Sequence, residues 1–269
     1  MCLAVLAIDA HPDYPFICLA NRDEFHNRPT APLQAWPTAY GCLWSGKDLQ
    51  SGGTWLGVGS NSEFALLTNV RNSTLNMPGT APSRGQLVLD SIDSGAAPGR
   101  ETSLAFAGFN LIHGNLATRK FQCTTNQGLK LDNGLEFTTA LEDGYHSISN
   151  GHLNAPWPKS RALKFGVRKL IQDKHSGSLS ISTFEDSLLG LLGCTALAED
   201  TELPSTGVPY EWEKMLSSVK IVSPLYGTRS SAVILLDNTN TVHFTEVTFN
   251  PTGNEIGRQR FEIPLPPKS

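Results

Sequence analysis

The residue of this chain best placed to act as a nucleophile is Cys2, which directly follows Met1. An initiator methionine is normally removed when the next residue is small, and its removal would leave a thiol and a free α-amine on one residue. An α-amine titrates near ~8 and a cysteine thiol near ~8.5, so each group can exchange a proton with the other without a histidine. The alternative is that Cys2 is a small buried residue that opens a strand.

A run of four polar residues, 21–24, follows an apolar stretch and is the second candidate for chemistry. The apolar runs 3–8 and 16–20 flank a His-Pro-Asp-Tyr-Pro turn and predict a β-hairpin. In that hairpin Arg22 or Asp23 would lie beside Cys2, and which of the two faces the thiol stays open. A guanidinium there would lower the thiol pKa, and a carboxylate would hold the α-ammonium. A solvated strand end is the alternative.

Several motifs, taken together and in order, resemble the NRDE family over residues 1 to about 250. They are Met1-Cys2, Asn21-Arg22-Asp23-Glu24-Phe25, Arg28-Pro29, Gly52-Gly53-Thr54-Trp55-Leu56-Gly57, Leu67-Thr68-Asn69, Gly108-Phe109-Asn110-Leu111, Ser149-Asn150, Pro156-Trp157-Pro158-Lys159 and Tyr226-Gly227-Thr228-Arg229. The resemblance implies the four-layer αββα fold of the N-terminal-nucleophile (Ntn) hydrolases, an α+β sandwich of antiparallel sheets.

The order of predicted elements also favours an antiparallel α+β architecture over alternating βαβ units, because strands gather at both ends of the chain and helices in the middle. Residues 1–269 are expected to form one domain, with a loose proline-rich tail at 262–269. Residues 27–53 show no periodicity and are expected to form a long loop. The predicted helices are 84–92, 159–171 and 183–192, and the further predicted strands are 63–69, 106–113, 120–124, 231–236 and 241–247.

More distantly, the same motifs resemble the cysteine acylases that include bile salt hydrolase and penicillin V acylase. That resemblance implies that Cys2 is the nucleophile and that Arg22 and Asp23 are the early pair that flanks it. It also implies that Asn69 and Asn150 supply the two oxyanion-hole amides and that Arg229 is the late arginine of the site. Two amide donors aimed at a developing oxyanion contribute about 3 kcal/mol each in comparable hydrolases. The alternative is that the asparagines cap strands and that Arg229 is an ion-pair partner.

Composition excludes several other classes of function. The net charge is −4 and no block of like charge occurs, so nothing indicates nucleic-acid binding. The longest apolar run, 3–8, is too short to cross a bilayer, and no basic region precedes it, so we expect a cytoplasmic protein without an integral membrane segment. The five cysteines form no CxxC pair and the histidines show no metal-ligand spacing, so no metal site is expected.

Two functions of different class remain. The first is an amidohydrolase that needs no cofactor and in which Cys2 attacks a non-peptide C–N bond. The second is a non-catalytic carrier of an apolar ligand, since the NRDE family is associated with haem trafficking and with lipid or acyl-coenzyme A metabolism. The expected partner is therefore a small molecule: an acyl amide, haem or acyl-coenzyme A. Aromatic side chains would line a carrier's cleft, and the candidates are Phe25, Trp36, Trp44 and Trp55.

Overall fold

The computed structural model describes residues 2–38, 41–71, 81–131, 134–173 and 179–266. The elements in chain order are β1 (Cys2–Ile8), β2 (Phe16–Phe25), β3 (Thr30–Thr38), β4 (Gly41–Asp48), β5 (Leu56–Gly59), β6 (Glu63–Asn69), α1 (Gly85–Ser94), α2 (Arg100–Leu104), β7 (Phe109–Asn115), β8 (Lys120–Leu131), β9 (Gly134–Leu141), β10 (Gly144–Ile148), α3 (Pro158–Gln172), α4 (Ile181–Leu192), α5 (Tyr210–Met215), β11 (Tyr226–Leu236), β12 (Thr241–Phe249) and β13 (Glu255–Pro264).

The strands form two antiparallel sheets. The first has six strands in the order β10-β1-β2-β11-β12-β13, and the second has seven in the order β3 to β9. One apolar core lies between the sheets, a second lies between the first sheet and α3 and α4, and a third lies between the second sheet and α1. The layers therefore follow the order αββα, and the α+β sandwich expected from the sequence is confirmed.

The inner strand β1 shows why a continuous apolar run in the sequence correctly predicted a strand. Every residue of β1 is buried, because one face meets the other sheet and the opposite face meets the helices. Cys2, Ala4 and Leu6 lie in the core between the sheets, and Leu3 and Val5 lie in the core under the helices. A strand covered on both faces reads as apolar throughout rather than as alternating.

The helices begin and end where local chemistry favours it. Pro158 occupies the first turn of α3, where its missing N–H costs no hydrogen bond. The Ser180 side chain accepts a hydrogen bond from the Thr183 N–H and so caps α4. Gly95 ends α1 in the left-handed conformation, with φ of 68°. These helices confirm the three predicted from the sequence.

Two expectations about irregular segments were wrong. Residues 27–53 contain β3 and β4 rather than a long loop. β3 is an edge strand in which Leu33 is the buried residue, so it shows no alternation, and an edge tolerates Pro32 and Pro37. The tail is not loose from 262 onward, because β13 pairs with β12 as far as Pro264 and fully buries Ile263. Residues 267–269 lie outside the described part of the chain.

A buried carboxyl group joins the two sheets and gives stability a pH dependence. Oε1 of Glu246, on β12, accepts a hydrogen bond of 2.7 Å from the backbone N–H of Leu33, on β3. Burial raises the Glu246 pKa from its ordinary 4.5 to about 7. Between those values the folded chain holds a proton that the unfolded chain releases, so the free energy of unfolding falls as pH rises through this window.

We predict that Glu246→Gln removes this pH dependence, because the amide oxygen still accepts the Leu33 hydrogen bond but does not titrate. The difference between 4.5 and about 7 corresponds to about 3 kcal/mol. From pH 4 to pH 8 the wild type should therefore lose about 3 kcal/mol of unfolding free energy relative to the variant. Denaturant unfolding across this range measures the difference. Parallel curves for the two proteins would contradict the prediction.

Candidate active site

The pairing of β1 with β2 places Cys2 directly opposite Arg22. The next pair along the hairpin is Leu3 opposite Asn21. The sequence left open whether Arg22 or Asp23 lies beside the thiol, and the register of the strands selects Arg22. Both Cys2 and Arg22 are buried and lie on the side of their strands that faces the second sheet.

A cleft of about 340 Å³ opens at this end of the sandwich. Three of the predicted catalytic residues line it: Cys2, Arg22 and Asn69. The other lining residues come from the ends of β2, β4 and β6, from the segments that follow these strands, from the start of α1 and from the segment before β7. They are Glu24, Arg28, Asp48, Ser51, Thr54, Trp55, Leu67, Ala81, Pro82, Ser83, Arg84, Gly85 and Ala107. The thiol therefore faces a polar cleft in which side chains of both charges are close at hand.

Arg22 is held on the ring of Trp55, with its guanidinium carbon 4.3 Å from the ring centroid. The ring in turn needs a residue without a side chain behind it, since a Cβ on Gly46 would lie 2.4 Å from the ring edge. Arg22 also donates to the Thr30 hydroxyl at 3.2 Å and lies 3.7 Å from an Asp48 carboxylate oxygen. A stacked and hydrogen-bonded guanidinium is fixed in place and does not rotate freely into solvent.

Asp23 lies on the opposite side of β2 and is fully buried. The Thr228 hydroxyl donates a hydrogen bond of 2.7 Å to Asp23 Oδ1, and the Tyr226 hydroxyl donates to the Asp23 carbonyl. Burial raises the Asp23 pKa, and the charge of Lys159 opposes that shift most strongly. Burial likewise lowers the Lys159 pKa against the charge of Asp23, so the two groups form a buried pair of opposite charge beside Cys2.

The two predicted oxyanion-hole asparagines are in contact with each other. The side-chain amide of Asn150 donates to the backbone oxygen of Asn69 at 2.9 Å. Asn69 lines the cleft, whereas Asn150 is buried behind it and is not among the lining residues. The residue before Asn150, Ser149, donates its hydroxyl to the Cys2 carbonyl at 3.1 Å. The end of β10 thus joins the cysteine to both asparagines.

The structure does not bring Arg229 into this cleft. Arg229 is the extra residue of a β-bulge, since Thr228 pairs with Asp23 and Ser230 pairs with Arg22. A bulge re-aims the side chain of its extra residue. The Arg229 guanidinium donates to the backbone carbonyls of the turn after β2, those of Phe25, His26 and Arg28, at 2.9 to 3.2 Å. It supports the segment that carries Arg28 rather than the thiol.

Of the four aromatic residues expected to bind a ligand, Trp55 lines the cleft and the other three do not. Phe25 packs edge-on against Tyr226 and leaves 47% of its surface exposed. Trp36 stacks under Lys47 and donates its indole N–H to Ser45. Trp44 packs against the core between the sheets.

The thiol pKa differs from the sequence-based expectation. Burial raises the pKa of Cys2 above its ordinary value, and the charge of Asp23 raises it further. The Arg22 charge does lower it, as expected, but burial is the larger effect. Removal of a thiol proton therefore requires a base next to the sulfur.

Two cationic residues near Cys2 were not assigned a role from the sequence. Lys159 is 3% exposed, and it shares the buried stripe of α3 with Leu163, Val167 and Ile171 at intervals of four residues. A lysine in the apolar stripe of a predicted helix was therefore recognisable from the sequence as a residue in an unusual position. Arg84 precedes α1 and lines the cleft through close packing of the chain, for which the sequence carries no local signal.

The Gly52–Gly53 turn sets the position of Arg84. A Cβ on Gly53 would lie 2.5 Å from the carbonyl carbon of Gly85, which begins α1, so the two backbones touch. The Thr54 N–H then donates to the Gly85 carbonyl at 3.3 Å. The motif is therefore a scaffold that fixes the start of α1 against the cleft.

The four-layer αββα fold, with a cysteine at the head of an inner strand and facing a cleft, is the arrangement that the sequence resemblance implied. The chain belongs to the transport and Golgi organisation 2 family, whose model matches residues 1–251, and the family resemblance seen in the sequence is confirmed. The transport and Golgi organization protein 2 homologue of Bos taurus is 30% identical over 98% of this chain and 99% of its own length. The Homo sapiens homologue is 32% identical over 91% of this chain and 92% of its own.

Among solved structures, a mutant conjugated bile acid hydrolase from Clostridium perfringens superposes with a TM-score of 0.49 at 10% identity, over 100% of this chain and 99% of its own. An orthologue of N-acylethanolamine-hydrolyzing acid amidase from Caenorhabditis elegans gives a TM-score of 0.46 at 10% identity, over 87% and 92%. In the described part of this chain, no helix has the length and apolar character that a membrane span needs.

We predict that Gly53→Ala destabilises the protein by about 1–3 kcal/mol, because the new methyl group meets backbone atoms that cannot rotate away. Gly190→Ala is the matched control. Gly190 lies inside α4, and nothing lies within 4 Å of the point that an added Cβ would occupy, so alanine there should stabilise by about 0.5–1 kcal/mol. Denaturant unfolding compares both with the wild type. Equal effects of the two substitutions would show that the Gly53–Gly85 contact is not a constraint.

Proposed function

We propose that the chain is an amidohydrolase in which Cys2, after removal of Met1, attacks the carbonyl carbon of a non-peptide amide. The observation that carries the proposal is the position of Cys2. Its side chain faces the cleft, while its backbone is held by the pairing with Arg22 and by the Ser149 hydroxyl. A nucleophile fixed in this way needs little reorganisation to reach a bound carbonyl group.

The α-amine of Cys2 is the base in this proposal. Since burial raises the thiol pKa, the sulfur holds its proton until a neighbouring base accepts it. A neutral α-amine on the same residue would take the proton as the sulfur attacks, which yields an ammonium and a tetrahedral oxyanion. The carboxyl group of Asp23, which acts electrostatically on Cys2, would stabilise the ammonium, and Arg22 would favour the thiolate.

Asn69 and Asn150 are the proposed donors to the oxyanion. An asparagine amide carries two N–H donors, and Asn150 uses one of them on the Asn69 carbonyl. Asn69 would donate its amide N–H from the cleft wall, and Asn150, buried directly behind it, would turn its second N–H toward the same substrate oxygen. Arg71 holds this pair, because its backbone N–H donates to the Asn150 carbonyl at 2.8 Å and its guanidinium forms an ion pair with Glu213.

Collapse of the tetrahedral intermediate would break the C–N bond and leave a thioester on Cys2. The α-ammonium gives its proton to the departing amine and becomes a base again. It then takes a proton from a water molecule, whose oxygen attacks the thioester and releases the carboxylic acid. The proton returns to the sulfur, so the cycle balances without a cofactor or a metal.

The described part of the chain contains no site of the kind that a carrier of haem or of an acyl chain would need. Such a ligand calls for a mostly apolar site. The described lining of the cleft includes three arginines and two carboxylates, and Trp55 is the one lining residue among the aromatic candidates. Those charges suit a reacting polar group better than a flat macrocycle.

We predict that Cys2→Ala lowers the turnover of a hydrolysed acyl amide by at least about 10³-fold, because the nucleophile and its proton path are lost together. Cys194→Ala is the control, since Cys194 is exposed and lies outside the cleft. A panel of acyl amides provides the assay, and the intact mass of each protein shows whether Met1 is removed. Hydrolysis that survives in the Cys2 variant would overturn the proposal.

A further inference from the structure

The cleft beside Cys2 carries more positive than negative charge. Its described lining contains the guanidinium groups of Arg22, Arg28 and Arg84 and the carboxylates of Glu24 and Asp48. The excess is one positive charge if all five are ionised. In a partly enclosed cleft such an excess acts strongly on a ligand, because little water screens it.

The two carboxylates are already engaged by other partners. One Asp48 oxygen lies 2.7 Å from Nε of Arg28, and the other accepts the backbone N–H groups of Gln50 and Ser51. One Glu24 oxygen accepts the Phe25 N–H, and the other lies 3.9 Å from Nε of Arg28. Arg22 shares Asp48 at 3.7 Å. The acidic groups therefore neutralise Arg22 and Arg28.

Arg84 is the cation left over. Its hydrogen bond to a described residue goes from Nη1 to the Gly108 carbonyl at 2.9 Å. Among the described residues, no carboxylate oxygen lies within 4.0 Å of the Arg84 guanidinium nitrogens, the distance that defines an ion pair. A guanidinium has five N–H donors, so most of its donors remain available to a ligand.

The surroundings of Arg84 add to this local excess. Burial lowers the Arg84 pKa and the charge of Arg28 lowers it further, whereas the charges of Glu24 and Cys2 oppose the shift. Arg84 also immediately precedes α1, whose first turn contains no acidic residue. The partial positive charge of that helix end is therefore not neutralised by its own side chains.

We propose that the substrate carries a compact anionic group, a carboxylate or a phosphate, close to the amide bond that Cys2 attacks, and that Arg84 binds this group. Arg84 and Cys2 line the same cleft of about 340 Å³, so one small molecule can contact both. The planar guanidinium matches the two oxygens of such a group. The simplest substrates of this class are N-acyl amino acids and N-acyl phosphoethanolamines. The link to hydrolysis rests on the proposed function, whereas the binding of the anion does not.

The test compares three ligands with the same acyl chain: an N-acylglycine, an N-acyl-O-phosphoethanolamine and an uncharged N-acylethanolamine. Calorimetric titration of the Cys2→Ala protein measures binding without turnover. At least one of the anionic ligands should bind about tenfold or more tightly than the uncharged one. The better anionic ligand identifies the group as a carboxylate or a phosphate. Equal binding of all three, or binding of none, overturns the proposal.

Substitution of Arg84 in the Cys2→Ala protein tests whether Arg84 causes the preference for anionic ligands. Arg84→Gln should remove the preference for the anionic ligand. It should leave the affinity for the uncharged ligand within about twofold of the affinity of the Cys2→Ala protein. Arg84→Lys keeps the charge without the planar fork and should retain part of the preference. Arg161→Gln is the control, because Arg161 is an exposed arginine on α3, outside the cleft. A preference that persists in Arg84→Gln overturns the assignment, and thermal melts check that each variant folds.

Turnover of the same three compounds by the wild type separates this inference from the proposed function. Anion binding that depends on Arg84, without hydrolysis of any compound, upholds the anion site and refutes the amidohydrolase. Hydrolysis that depends on Cys2 but is equal for charged and uncharged compounds upholds the amidohydrolase and refutes the anion site.

Discussion

The register of β2 against β1 determines which side chain lies opposite Cys2, and the side chain of Asn21 anchors β2 in the position that this register requires. Its amide donates to the carbonyls of Leu192 and Val219, at 3.0 and 2.8 Å, and its oxygen accepts the Ser231 hydroxyl. A slip of β2 by one residue would turn the Asn21 side chain toward the other face of the sheet and leave these partners without their hydrogen bonds. Each buried polar group left without a partner costs about 1–3 kcal/mol, so the observed register is strongly favoured.

Because side chains alternate along a strand, one polar run serves two faces of the sheet. Asn21 and Asp23 lie on the face toward the helices, where Asp23 meets the charge of Lys159. Arg22 and Glu24 lie on the face toward the cleft. Four successive polar residues at a strand end thus form two separate groups, one that faces the helices and one that faces the cleft.

Small residues determine how closely the second sheet approaches these groups. Gly46 leaves room for the Trp55 ring on which Arg22 stacks, and Gly53 lets the start of α1 touch the turn before Trp55. The cleft therefore has one wall built on the β1–β2 hairpin and another built on glycine contacts. The first wall consists of paired strands, which hold Cys2 and Arg22 more firmly than an isolated loop would.

Elements with a regular pattern were predictable from the sequence, including the opening hairpin, the three long helices and the strands of the closing hairpin. The opening hairpin also predicted that Arg22 or Asp23 lies beside Cys2, and the strand register in the structure selects Arg22. Arg229 illustrates what a sequence does not reveal, since one extra residue in a bulge turns its side chain away from the cleft. β3 was missed because an edge strand with one buried residue has no alternation. Arg84 was missed because contacts between distant backbones place it.

The most direct measurement of the central claim is acid-quenched mass spectrometry of the protein during turnover of an acyl amide. Attack by Cys2 predicts an N-terminal peptide that lacks Met1 and carries the acyl group on the Cys2 sulfur as a thioester. The adduct should disappear when substrate is exhausted and should be absent from Cys2→Ala. A protein that retains Met1, or an acyl group found on another cysteine such as the exposed Cys194, would contradict the assignment of Cys2 as the nucleophile.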